Sequence, residues 1–173
     1  VLTTHGRGPF TRFWLGSVAD EFMRHASVPT LMLRPEAAGP VDLAARPVLK
    51  HVLVPLDGSD LAEKAIPPAA RLGRLFGADF TLLLVLEAAT PREPLPGMEA
   101  AHLPDDWNPK PAEEQAQHYL DRVARQLRDQ HLSVHTKLAK GGAAVGAILD
   151  YTAAHPETLV ALATHGRGGL TRL

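Results

Sequence analysis

The two ends of this 173-residue chain repeat each other. Residues 1–13 read VLTTHGRGPFTRF and residues 161–173 read ALATHGRGGLTRL, an ungapped match with 8 identities in 13 positions at an offset of 160. An offset near one domain length points to tandem domains, since solenoid repeats recur every 20–50 residues or so. The chain is therefore expected to open partway through one repeat and stop partway through the next, as an excerpt or processed product of a longer tandem protein would. On this reading residues 1–35 are the C-terminal part of one repeat: the end of its fourth strand, its last helix and its fifth strand. Residues 36–48, with Pro40 and Pro47 among several alanines, form a linker. Residues 49–173 form a second repeat that lacks its last helix and strand.

Between the repeated ends, strand and helix signals alternate. The run from Lys50 to Pro55 is short and apolar, and Leu56-Asp57-Gly58-Ser59 follows it. From Asp60 to Phe76, Leu61, Ala65, Ala69 and Leu72 recur at helical spacing. Pro67-Pro68 should kink or interrupt that helix, and Gly77 should end it. Phe80 to Leu86 is continuously apolar, as expected of a strand covered on both faces. A proline-rich loop runs from about Ala88 to Pro111, and an amphipathic helix from Pro111 to Gln130 carries Ala116, Tyr119, Leu120, Val123 and Leu127 along one side. Leu132 to Ala139 alternates like a strand, with His131 and His135 on or beside it. Gly141-Gly142 leads into an alanine-rich helix ending near His155-Pro156, and Thr158 to Ala163 is a further strand. In the N-terminal piece, Ser17 to Asp20 resembles a capping box, Val18, Phe22, Met23 and Ala26 mark an apolar helical face, and Thr30 to Leu33 reads as a last strand. Strands alternating with helices imply βαβ units and a parallel sheet.

Composition narrows the function. A net charge of −1 with mixed signs argues against nucleic acid as a partner, because binders of it normally carry a basic patch. No apolar run approaches the 18 or so residues that span a bilayer, which argues against a membrane partner. VLTTHGRG lacks the charged start and apolar core of a signal peptide, so a cytoplasmic location is expected. The sequence has no cysteine, which removes disulfides and thiolate metal sites. The nine histidines are scattered without ligand spacing, so no metal site is expected. There is no G-x-x-x-x-G-K-[ST] and no G-x-S-x-G, which sets aside P-loop and common hydrolase chemistry.

HVLVPLDGSDLAEKA, THGRGPFTRFWLGSVADEFMRHASVPTLML and THGRGGLTRL resemble, in family order, the first strand and turn and the C-terminal third of universal stress proteins. The resemblance covers nearly the whole chain apart from the long loop and the linker. It implies an α/β fold: an open parallel five-stranded sheet of order 3-2-1-4-5 with helices on both faces, of the adenine-nucleotide alpha-hydrolase-like type. It also implies, for many members, a bound ATP. The family's ATP pattern is Gly, two residues, Gly, nine residues, Gly, then Ser or Thr. Gly6, Gly16 and Ser17 match the later positions in the N-terminal copy, where Thr3 stands for the first Gly. In the C-terminal copy Ala163 stands first and Gly166 follows. The resemblance further implies Pro55, Leu56 and Asp57 at the end of the first strand, and the Val85 backbone at the adenine.

The chemistry of these residues can be read directly. Gly6, Gly8, Gly166 and Gly168 allow backbone N–H groups to approach phosphate oxygens without a Cβ in the way. Gly16 and Ser17 would stand at a helix N-terminus, which favours an anion, although Ser17 is equally suited to be an N-cap alone. Asp57 falls at the carboxyl end of a strand, where open α/β sheets place ligands, and its carboxylate can accept ribose hydroxyls. Its other reading is a plain turn residue, as Asp-Gly often is. His5 and His165 are read as loop anchors, no acid–base pair being evident. Three functions follow: a protein binding ATP, AMP or ADP, with Mg²⁺ held through the phosphates, in stress response or signalling; a family member that binds no nucleotide and acts through dimerisation or partner contacts; and a slow ATPase. A homodimer is expected, with exchanged segments, because residues 1–34 carry the helix and strand that residues 49–173 lack. The 13 linker residues, reaching at most about 45 Å, leave completion within one chain equally open.

Overall fold

In a computed structural model, residues 2–3, 25–26, 28–33, 48–86 and 110–163 are described. The chain divides into two compact units, Val48–Ala163 and a second made of Val1–Pro47 with Thr164–Leu173.

In the second of these, β1 (Leu2–Thr3) and β2 (Met32–Leu33) pair in parallel, Leu2 opposite Met32 and Thr3 opposite Leu33. Parallel neighbours need a crossover connection, and the amphipathic stretch expected at 17–26 lies between them. Of that stretch, His25 and Ala26 are described, and His25 is helical.

The larger unit runs β3 (His51–Leu56), α1 (Asp60–Glu63), α2 (Ile66–Phe76), β4 (Asp79–Leu86), α3 (Lys110–Arg128), β5 (Val134–Lys140), α4 (Ala144–Ala154) and β6 (Thr158–Val160). All its strand pairs are parallel, in the order β5-β4-β3-β6. With the strands counted within the repeat, this is 3-2-1-4, the order expected. A fifth strand beside β6 is not among the described elements of this sheet.

Alternation along the strands divides the core into two layers. Val52, Val54, Leu56, Phe80, Leu82 and Leu84 face α2 and α3, meeting Ala69, Ala70, Leu120, Val123 and Leu127. Leu53 and Leu83 face the other way and meet Tyr151 of α4, with Ala147 and Ile148 beside it. Each fully buried Leu or Phe contributes about 1.5–3 kcal/mol by leaving water, so the helices are held by their apolar stripes more than by propensity.

Pro67 and Pro68 do not kink one long helix. The chain turns at Lys64-Ala65, and the prolines occupy the first turn of a new helix, α2. Their missing N–H groups cost nothing there, because the first N–H groups of a helix have no partner within it. Gly77 stops α2 at φ 64°, with its N–H donating to the Arg74 carbonyl. Gly73 has a different reason: a Cβ there would stand 2.4 Å from the Phe80 ring, so only glycine lets α2 lie this close to β4. His131 sits at φ 61° in the turn after α3 rather than on the strand, and His135 is on β5. No helix among the described residues is long and apolar enough to cross a membrane.

Candidate nucleotide site

The strand order reverses between β3 and β6: the chain leaves β3 toward β4 on one side and later returns to β6 on the other. In an open α/β sheet the crevice outside the carboxyl ends at such a reversal is where ligands bind. Pro55 and Leu56 are the last residues of β3, Pro55 half-buried and Leu56 buried in the core. Asp57 is the first residue beyond the strand, and it is exposed.

The turn after β3 is built around the Asp57 carboxylate. Gly58 takes φ 84°, a conformation L side chains rarely adopt, and so reverses the chain. The Ser59 N–H donates to Asp57 Oδ1 at 2.9 Å, and the Ser59 hydroxyl donates to the same oxygen at 2.6 Å. The Ser59 Oγ in turn accepts the Ala62 N–H at 3.2 Å, capping α1. The Ser59 hydroxyl, followed by its N–H, holds the Asp57 carboxyl below the usual carboxylate range against a small opposing effect of burial. Asp57 is therefore ionised at neutral pH, and loses its charge only as pH falls through that lowered value.

Leu56 pairs with Leu84, the last pair joining β3 to β4; Asp57 follows it on one side, past the strand end, and Val85 on the other, still within β4. On β4 the odd-numbered residues turn their backbone groups to β3, as Asp79 does in donating to the Lys50 carbonyl at 2.9 Å. The even-numbered ones turn to β5: Phe80 donates to Ser133, and Leu86 accepts from Gly141, each at 2.8 Å. The Val85 carbonyl thus points to the β3 side. The next ladder donor there would be the Gly58 N–H, but β3 has ended and the chain turns away. The Val85 side chain packs against the Leu53–Leu83–Tyr151 layer.

On the β6 side, the Ala161 N–H donates to the Leu53 carbonyl at 2.8 Å, and continuing the register brings Ala163 level with Leu56. Ala163 is half-buried and packs against the core layer under α2 and α3. Its methyl group belongs to that layer, which gives a physical reason why alanine can stand where the family pattern has glycine. Gly6, Gly16, Ser17, Gly166 and Gly168 lie outside the described residues.

Sequence reasoning missed three supporting contacts. Ser59 acts on Asp57, and the Asp-x-Ser spacing of a side-chain-closed turn was the available signal. Under α1, Arg122 pairs with Glu63 at 2.8 Å, and Lys140 at the end of β5 pairs with Glu113 in the first turn of α3. Beside the first pair, the Tyr119 hydroxyl is buried without a hydrogen-bond partner. Burial, then the nearby Glu63 carboxylate, pushes its pKa up to about 12, although no Tyr119–Glu63 bond of acceptable geometry forms.

The comparisons with known proteins agree with this architecture. The sequence model of the Universal stress protein family matches residues 1–34 and 49–173. The chain belongs to the universal stress protein family. A universal stress protein of Methanocaldococcus jannaschii is 24% identical over 126 residues, covering 72% of this chain and 69% of that protein. Among solved structures, the universal stress protein UspA from Lactobacillus plantarum superposes with a TM-score of 0.53 at 21% identity, covering 74% of this chain and 86% of its own. A universal stress protein from Archaeoglobus fulgidus DSM 4304 gives 0.54 at 18% identity, covering 88% of this chain but 44% of its own. At these identities the structural likeness speaks for the fold.

Proposed function

We propose that the chain binds an adenine nucleotide, ATP or its mono- or diphosphate, and serves in the cytoplasm as a stress-response or signalling module. The observation that carries this reading is the ionised Asp57 at the strand-order reversal, one residue past the last β3–β4 pair, with the Val85 carbonyl turned to the same β3 side beyond the end of the ladder. A carboxylate accepts the two ribose hydroxyls, and a strand-end carbonyl accepts the exocyclic amine of adenine. The bonds to the carboxylate are charge-assisted and roughly twice as strong as neutral ones. The glycine-rich loops at Gly6 and Gly166, with Gly8, Gly168, Gly16 and Ser17, are proposed on sequence grounds to take the phosphates. Mg²⁺ would arrive with those phosphates and be held by them.

Two measurements test this reading. The small molecule released on denaturing the purified protein should have the mass of an adenine nucleotide. Asp57→Ala should weaken ATP binding at least about tenfold, roughly 1.4 kcal/mol. Unchanged calorimetric affinity would remove Asp57 from the site.

One observation favours a second role. Val145 and Leu149 on α4 and Leu162 after β6 are large apolar side chains that are 66, 62 and 60% exposed. We propose that the protein also works as a homodimer in which residues 1–34 are exchanged, a low-cost route to dimers. Analytical ultracentrifugation should give twice the chain mass, and a monomer at all concentrations would contradict it.

A further inference from the structure

Both bonds from Ser59, the N–H at 2.9 Å and the hydroxyl at 2.6 Å, end on Asp57 Oδ1; the carboxylate also meets its own backbone N–H, and Oδ2 accepts no hydrogen bond from any other described residue. The Ser59 hydroxyl has one proton and two lone pairs. One lone pair is already committed, since Oγ accepts the Ala62 N–H at 3.2 Å from the first turn of α1. The proton is thereby directed back toward Asp57. The result is an oriented relay from the α1 amide through Ser59 Oγ to Asp57 Oδ1. Two donors converging on one oxygen fix the plane of the carboxylate as well as its position, and this in a residue that is otherwise exposed.

We propose that Ser59 is a positioning residue that turns Asp57 into a ready acceptor: it clamps Oδ1 so that Oδ2 is presented, already oriented, to a vicinal diol such as the 2′- and 3′-hydroxyls of a ribose. The proposal rests on the nucleotide reading of Asp57 and adds to it which side chain sets the selectivity for a ribose over a sugar without hydroxyls. A free carboxylate on an exposed turn would lose rotamer freedom on binding, whereas a clamped one has lost it on folding, so the selectivity depends on Ser59 as well as on Asp57. The same relay explains why the serine has two contacts rather than one. As an N-cap alone it would need only the Ala62 N–H.

The test compares ATP with 2′,3′-dideoxy-ATP, both with Mg²⁺, by calorimetry on the full chain. The wild-type protein should prefer ATP by about tenfold, an energy of roughly 1.4 kcal/mol. Asp57→Ala should abolish the preference. Ser59→Ala should reduce it at least fivefold while leaving dideoxy-ATP affinity near that of the wild type, and Ser59→Thr, which keeps the hydroxyl, should restore it. A serine needed only to hold the fold would weaken both ligands together. Ser59→Gly, which caps a helix nearly as well as serine, stands in if the alanine variant fails to fold. If Asp57→Ala abolishes the preference but Ser59→Ala and Ser59→Gly keep it, the role given to Ser59 is wrong and the reading of Asp57 survives. If the wild type binds neither ligand, the nucleotide reading fails and this proposal with it; if Asp57→Ala keeps the preference, nucleotide binding survives but the ribose is not held by Asp57 and this proposal fails.

Discussion

Thr81 is buried among the described residues, and the hydroxyl it meets, that of the equally buried Tyr151, joins the sheet to α4. Its Oγ1 lies 2.8 Å from the Tyr151 hydroxyl, and both residues are 7% exposed. A hydrogen bond between neutral groups contributes about 0.5–1.5 kcal/mol net, and stranding one buried partner costs about 1–3 kcal/mol. Tyr151→Phe keeps the ring, and hence the stacking on His155 at 4.3 Å between centroids, so only the hydroxyl is lost. Thr81→Val is nearly isosteric. Each single change should therefore cost about 1–2 kcal/mol, because each leaves one hydroxyl buried and unpaired. The double variant removes both polar groups and should cost about 0–1 kcal/mol, giving a coupling energy on the order of 1–2 kcal/mol. Urea unfolding followed by far-UV circular dichroism reads this directly, provided the slope with urea stays constant across the four proteins. Single-variant losses that add to within about 0.5 kcal/mol would refute the bond and the account of how α4 is fastened.

Three other substitutions test separate parts of the structure. Tyr119→Phe should stabilise the fold slightly or leave it unchanged, because it removes a buried hydroxyl with no partner; a loss near 1 kcal/mol in urea unfolding would mean the hydroxyl is bonded. The same variant should abolish part of the fall in stability above pH 10: a phenol raised to about 12 in the folded state stabilises below its unfolded value, and that contribution is lost as pH rises toward 12. Gly73→Ala should lower stability by about 1 kcal/mol or more despite alanine's better helix propensity, since its Cβ would run into the buried Phe80 ring, and a higher melting temperature would contradict the close approach of α2 to β4. Ala163→Gly should leave ATP affinity within about twofold while reducing stability by about 0.4–1 kcal/mol, and a large gain in affinity would show that the methyl group obstructs the site.

Much of the framework was legible because it depends on pattern. The apolar runs at 51–56 and 79–86 and the amphipathic stretch at 110–128 carry periodicities that survive folding, and their alternation dictated a parallel sheet. Pro67-Pro68 was expected to kink or interrupt the helix, and the stretch is interrupted, but the break falls at Lys64-Ala65 and the prolines sit in the first turn of α2, where they fit. Thr158 to Ala163 was expected to be strand throughout, and β6 spans Thr158–Val160, with the Ala161 N–H still bonded to Leu53. Asp57 and Val85 could be picked out one by one, through a turn motif and a family resemblance. That both follow the Leu56–Leu84 pair depends on register, which no local signal sets. The Ser59 clamp, the Glu63–Arg122 pair and the unpartnered Tyr119 hydroxyl depend on side-chain rotamers and on helices meeting across 59 and 56 residues of chain, which no spacing rule encodes.

The most direct test of nucleotide binding at the end of β3 is an amide chemical-shift titration of the labelled chain with ATP and Mg²⁺. The account predicts saturable shifts concentrated at Asp57, Gly58 and Ser59 and at Val85 and Leu86, with the β5 residues His135 and Lys137 little changed. Shifts absent at millimolar ATP, or centred away from the carboxyl ends of β3 and β4, would contradict it.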